Sequence, residues 1–147
     1  MLTYCEALAK REGFYVVGSR AARNHNPGNI NWGSFAMRHG ATSIEKVPVD
    51  QATGKLIETP RFACFPTDQM GFNCMSSLLI SHYMGMTVKA AIYRWAPPLD
   101  NNDSDGYVKF VCDETGLTPD TILTAGILAP PDLQQKPIQN VSVPTGV

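Results

Sequence analysis

The stretch that decides the fold runs from Ile44 to Met84, IEKVPVDQATGKLIETPRFACFPTDQMGFNCMSSLLISHYM. Its first half is patterned for strands and its second half for a helix. Ile44–Val49 and Lys55–Phe65 carry the β-branched and aromatic residues, and Asp50–Gly54 supplies the turn, so a β-hairpin is predicted. Pro60 marks the second strand as interrupted or at an edge. Thr67 then stands ready to cap a long helix reaching about Met84. Met70, Cys74 and Leu78, with the offset Met75 and Leu79, form its buried stripe.

Outward from this stretch the pattern is helical on both sides. Leu2, Cys5, Leu8 and Ala9 recur at helical spacing, predicting an amphipathic helix that ends near Glu12, with Gly13 as terminator. From Val16 to His39 there is no clean period and the residues are rich in Gly, Asn and Ser. A long loop in a small domain is often functional. Downstream, Thr87 opens a helix over Val88–Trp95 that Pro97-Pro98 stops. Ser104 or Asp105 caps another over Tyr107, Val108, Val111 and Cys112, closed by Gly116. Thr118-Pro119-Asp120 is an N-cap with proline at the first helical position, opening a short last helix. The expected fold is α+β and mainly α-helical, with one small β-hairpin. It occupies residues 1–129, followed by a Pro-rich C-terminal tail, 130–147, that is extended, packed on the surface or disordered.

The 147 residues suffice for one domain that buries its own core. A hydrophobic content of 44% with 17% charge excludes a disordered chain. Twelve basic side chains against 13 acidic leave a net charge of -1, so no field draws the protein to nucleic acid, and a neutral or mixed-charge partner fits better. Cys5, Cys64, Cys74 and Cys112 lack metal-ligand spacing and read as small buried hydrophobes. No metal and no cofactor are expected, and the chain is expected to be a monomer. The opening MLTYCEALAKREG shows no secretory signal, and no apolar run approaches the roughly 20 residues of a membrane span. Synthesis in the cytoplasm without membrane insertion is the expectation.

Three groups of residues are suited to chemistry. Glu12 reads most simply as a solvated carboxylate in the last turn of a helix. That end of the macrodipole disfavours a negative charge, however, and the apolar Phe14, Tyr15, Val16 and Val17 around it would favour the protonated acid. Asn24, Asn26 and Asn29 in RNHNPGNI belong to a Pro27-Gly28 turn, or they offer donors and acceptors to a polyhydroxylated, N-acetylated ligand. In YRWAPPLDNNDSDGY, Trp95, Asn101, Asn102 and Tyr107 gather aromatic faces and amides, which suits a sugar with one apolar face and polar edges. Trp95 is equally suited to a core.

These segments together, from EG through SRAARNHNPGNI and RFACFPTDQMGF to AIYRWAPPLDNNDSDGYVKF, resemble the lysozyme-like superfamily of peptidoglycan glycan-strand cleaving proteins of phages and bacteria. Their order is similar to that of glucosaminidases and lytic transglycosylases, over about Leu2 to Leu123. The resemblance implies a lysozyme-like helical domain and Glu12 as the catalytic acid. It also implies Asn24, Asn26 and Asn29 in the cleft-lining segment and Tyr107 facing the substrate. Trp95 stands where glucosaminidases have tyrosine, and His25 stands where asparagine is commoner. The implied partner is the glycan strand of peptidoglycan, met at the bacterial cell wall or periplasm after phage- or secretion-system-mediated delivery.

Glycoside cleavage normally uses two carboxyls. Beyond Glu12 the chain offers Asp100, Asp103 and Asp105, which read first as solvated loop side chains. A lone acid acts with help from the substrate's own N-acetyl group or 6-hydroxyl, so hydrolysis and transglycosylation both stay open. Two other classes remain. One is a cysteine peptidase or amidase that pairs a cysteine with His25, His39 or His82. The other is a non-catalytic cell-wall-binding or virion structural module.

Overall fold

A computed structural model describes residues 1 to 135. Its helices are α1 (Tyr4–Arg11), α2 (Arg20–Arg23), α3 (Ser34–Arg38), α4 (Asp68–Tyr83), α5 (Val88–Trp95), α6 (Ser104–Thr115) and α7 (Ala125–Leu128). The strands β1 (Ser43–Ile44) and β2 (Ala63–Cys64) pair antiparallel, completing a mainly helical α+β fold.

Helix α1 sits at the centre. Thr3 starts it with a reciprocal cap: the Glu6 amide donates to Thr3 Oγ1 at 3.1 Å and the Thr3 amide donates to Glu6 Oε1 at 2.9 Å. The sequence predicts an amphipathic helix, but Tyr4 through Ala9 are all buried, enclosed mainly by α6, α4 and α7. Glu6 tolerates burial because its carboxylate is used in the cap. The helix ends where Gly13 takes φ +87°, leaving Glu12 as its C-terminal cap residue. Phe72, Met75 and Leu79 of α4 and Val88 and Ile92 of α5 complete the core, each buried side chain contributing about 1.5–3 kcal/mol.

The hairpin forms in a reduced version. Only Ser43–Cys64 and Ile44–Ala63 pair as strands, with single bridges at Val49–Leu56 and Asn31–Phe62. Two features explain the shortening. Val49, Leu56 and Ile57 are exposed, so the far arm has no core to face. Nearer the base, the Glu45 side chain takes the Arg61 and Phe62 amides that a longer strand would use for pairing.

Three other expectations change. The unperiodic segment from Val16 to His39 holds α2 and α3, too short at four and five residues to display a period. The cap of α6 is Asp103, whose Oδ1 accepts from the Gly106 amide at 2.9 Å, whereas Ser104 is buried and bonds the Ala96 carbonyl. No helix starts at Thr118-Pro119-Asp120. The chain there runs alongside the α4–α5 turn, with Val88 N donating to Thr121 O at 2.9 Å and Leu123 N to Met86 O at 2.8 Å. These cross-chain bonds hold residues 121 to 123 extended, and the last helix is delayed to α7, capped by Thr124. The start of the tail packs on α4 through Gln69, which donates to Pro131 O at 2.8 Å and accepts from Leu133 N at 2.9 Å. The rest of the expected tail, from residue 136, lies outside the described residues.

The asparagine-rich loop rests directly on α4. A Cβ at Gly71 would lie 2.1 Å from the His25 carbonyl oxygen and 2.7 Å from Pro27 Cδ. Alanine normally stabilises a helix interior by about 1 kcal/mol over glycine. Here Gly71→Ala is expected to do the reverse, costing about 1–3 kcal/mol through overpacking. Urea unfolding reads the sign directly, and a stabilised variant would refute this contact.

Candidate active site

The C-terminal end of α1 opens on a cleft of about 670 Å3 whose wall includes Glu12, Asn29, Trp32, Arg61, Trp95 and Asn102. Helix α1 is packed into the core around it, so its cap residue Glu12 is fixed in position against this cleft. The Glu12 carboxylate is also held by a chain of donors. Tyr107, on α6, donates from its hydroxyl to Glu12 Oε2 at 2.9 Å, and Trp95, on α5, donates Nε1–H to the Tyr107 oxygen at 3.1 Å.

Tyr107 is 4% exposed. Burial first, then the charge of Glu12 and the hydrogen bond to it, push the phenol well above its ordinary range, with the Trp95 bond opposing. It therefore stays protonated and remains a donor to the carboxylate. The resemblance puts Tyr107 facing the substrate, whereas the structure puts it behind Glu12, bonded to its carboxylate. Trp95 has two roles: it packs edge-on against Tyr83, with centroids 6.1 Å apart, and lines the cleft.

The apolar cover expected from Phe14, Tyr15, Val16 and Val17 does not lie over Glu12. Phe14 turns inward onto Phe72, and the other three are largely exposed, with Val17 at 99%. All four line a separate hollow of about 620 Å3, of which Glu12 is not a part. Gly13 causes this, because its positive φ sends the chain away from the helix axis immediately after Glu12. Enclosure of Glu12 comes instead from Tyr107 and Trp95, which are distant in sequence.

The three asparagines of the turn separate. Asn24 is 3% exposed; its Nδ2 donates to Glu45 Oε1 at 3.1 Å and its Oδ1 accepts from Cys64 Sγ at 3.4 Å. Asn26 is fully buried and ties the loop to the hairpin. Its Nδ2 donates to the Ile30 and Ala63 carbonyls at 2.9 and 2.8 Å, and its Oδ1 accepts from Ile30 N at 2.9 Å. Both build the loop and neither lines the cleft. Asn29 does line it, in a left-handed conformation with φ +49° that asparagine tolerates better than most residues. Its Oδ1 is enclosed without a hydrogen-bond partner among the described residues. Orphaned buried acceptors are uncommon, and each calls for a structural or functional explanation.

The second aromatic segment also divides. Asn102 lines the cleft, its Nδ2 anchored to the Pro97 carbonyl at 3.1 Å. Asn101 is exposed, does not line the cleft, and turns the chain after Asp100 with φ +62°. Of the three aspartates, Asp103 caps α6 and Asp105 accepts from the Tyr93 hydroxyl, so only Asp100 reaches the cleft wall. Sequence reasoning missed Trp32, Arg61 and Phe62. The aromatic-amide pairing of Asn31-Trp32 was a usable signal, whereas Arg61 reaches the cleft only because the hairpin folds under the loop.

Burial pushes the Cys5 and Cys74 thiols up to about 12 and raises Cys112, the opposite of thiolate activation. Cys64 is bonded to Asn24. His25 pairs with Asp68 at 2.7 Å and His39 Nδ1 with the Phe35 carbonyl at 2.9 Å. Among the described residues no three His, Cys, Asp or Glu side chains gather into a group that could hold a metal ion, and no helix is long and apolar enough to cross a membrane. No protein-family model matches the chain, and no curated protein matches it.

Proposed function

We propose that this protein cleaves the glycan strand of peptidoglycan, with Glu12 as general acid and then general base, acting at the bacterial cell wall. The observation that carries the reading is one carboxyl, anchored by a buried phenol, on the wall of a cleft that also offers indole faces and amides. Trp32 and Trp95 supply apolar surface for a pyranose face, and the amide side chains of Asn29 and Asn102 border it. Glu12 gives its proton to the bridging glycosidic oxygen as the bond to the anomeric carbon breaks. It then takes a proton from the incoming hydroxyl, whether of water or of the sugar's own C6. Asp100 is the one aspartate of the three in reach of the cleft, and is assigned as the side chain that steadies the developing positive charge or orients water.

Purified sacculi digested with the protein test this reading by mass spectrometry of the released muropeptides. New termini are expected, as reducing muramic acid, reducing glucosamine or an anhydro-sugar, and which of them forms decides the bond and the reaction. Sacculi bound but left uncut would instead identify a wall-binding module.

A further inference from the structure

We infer that Arg61 selects glycan strands that carry a carboxylate, an inference that rests on the cleft being a glycan site. The cleft wall carries two carboxylates, Glu12 and Asp100, together with His82 and a single guanidinium, Arg61. Arg61 differs from the nearby Arg20 although both stack over the Phe62 ring, at 4.6 and 4.5 Å. Arg20 is neutralised, bonding Glu45 through Nε at 2.8 Å and Nη2 at 2.6 Å, with Glu58 3.0 Å from Nη1. Among the described residues no carboxylate pairs with Arg61.

Its backbone is nonetheless fixed. The Arg61 amide donates to Glu45 Oε2 at 3.0 Å and its carbonyl accepts from the Trp32 amide at 2.8 Å. A guanidinium presented from a rigid backbone, flattened on an aromatic ring and without an internal counter-ion is preorganised to take a carboxylate with two parallel hydrogen bonds. Cell-wall strands offer this group in two places, the lactyl substituent of muramic acid once its peptide has been removed and the acidic residues of the stem peptide where it remains. A polymer of N-acetylglucosamine alone offers none.

The test measures binding in a Glu12→Gln background, so that turnover does not intervene. Affinities are compared for chito-oligosaccharides, for amidase-stripped strands with free lactyl carboxylates, and for strands that keep their peptides. Arg61→Gln is expected to lower the ratio of carboxylated to neutral affinity at least about tenfold, the effect of one lost charge-assisted pair. Arg61→Lys, which keeps the charge without the planar fork, should retain part of that ratio. The carboxylated ligand whose ratio falls identifies the source of the carboxylate. An unchanged ratio in both arms overturns the inference while leaving glycan cleavage standing. If the ratio falls but Glu12-containing protein cuts no strand, the specificity holds and the catalytic reading fails.

Discussion

Glu12→Gln should reduce the release of new sugar termini from sacculi by about three orders of magnitude, within the range for loss of a general acid. Glutamine keeps the shape of the side chain and still presents an oxygen to the Tyr107 hydroxyl, which lies 2.9 Å from Glu12 Oε2. What it lacks is an acidic proton to give and a charge to take one back. Folding and strand binding should therefore persist while turnover collapses, the pattern of an interaction used only in the transition state. Tyr107→Phe removes one oxygen and leaves the acid free to swing, so a smaller loss of about tenfold is expected. Undiminished cleavage by Glu12→Gln would remove the acid from the mechanism altogether. Iodoacetamide should leave wild-type cleavage intact.

The second large effect is on stability. The Glu45 side chain has no exposure, yet it is charged and accepts from Arg20, Asn24 and the amides of Arg61 and Phe62. Burial alone would push this carboxyl up. The hydrogen bonds from Arg20, Phe62, Arg61 and Asn24 together outweigh it and hold the acid at about 2. Glu45→Gln leaves the Arg20 charge short of a partner and turns an amide N–H toward donors, so a loss of about 3–5 kcal/mol is expected in urea unfolding at neutral pH. The sign of the pH dependence follows from the depressed value. The stabilisation, about 3 kcal/mol, is complete above the unfolded carboxylate's range near 4.3 and is lost as pH falls toward 2. Unfolding free energies at pH 7, 4 and 3 should thus fall more steeply for the wild type than for the variant. Parallel slopes, or a loss below about 1 kcal/mol, would show that Glu45 does not hold the loop and hairpin together.

Glu45 also shows where sequence reasoning stops. Nothing in its neighbourhood, IEKVPV, marks it as different from any solvated glutamate, because its partners come from residues 20, 24, 61 and 62. The same carboxylate occupies Asn24, which the sequence alone would offer to a ligand, and fixes the backbone that presents Arg61.

What the sequence by itself determined is local: the caps at Thr67 and Thr87, the stop at Gly13, the span of α4, and the placing of Glu12 at the end of α1. Those features depend on hydrogen bonds and periodicities within a few residues, which a linear reading captures. Tertiary structure decided the rest. It divided the asparagines into builders and wall, set Tyr107 behind Glu12 rather than before a ligand, and held residues 121 to 123 extended against a good helix start. Each outcome depends on bonds between groups tens of residues apart, and a buried polar side chain goes to whichever partner the fold brings within about 3 Å.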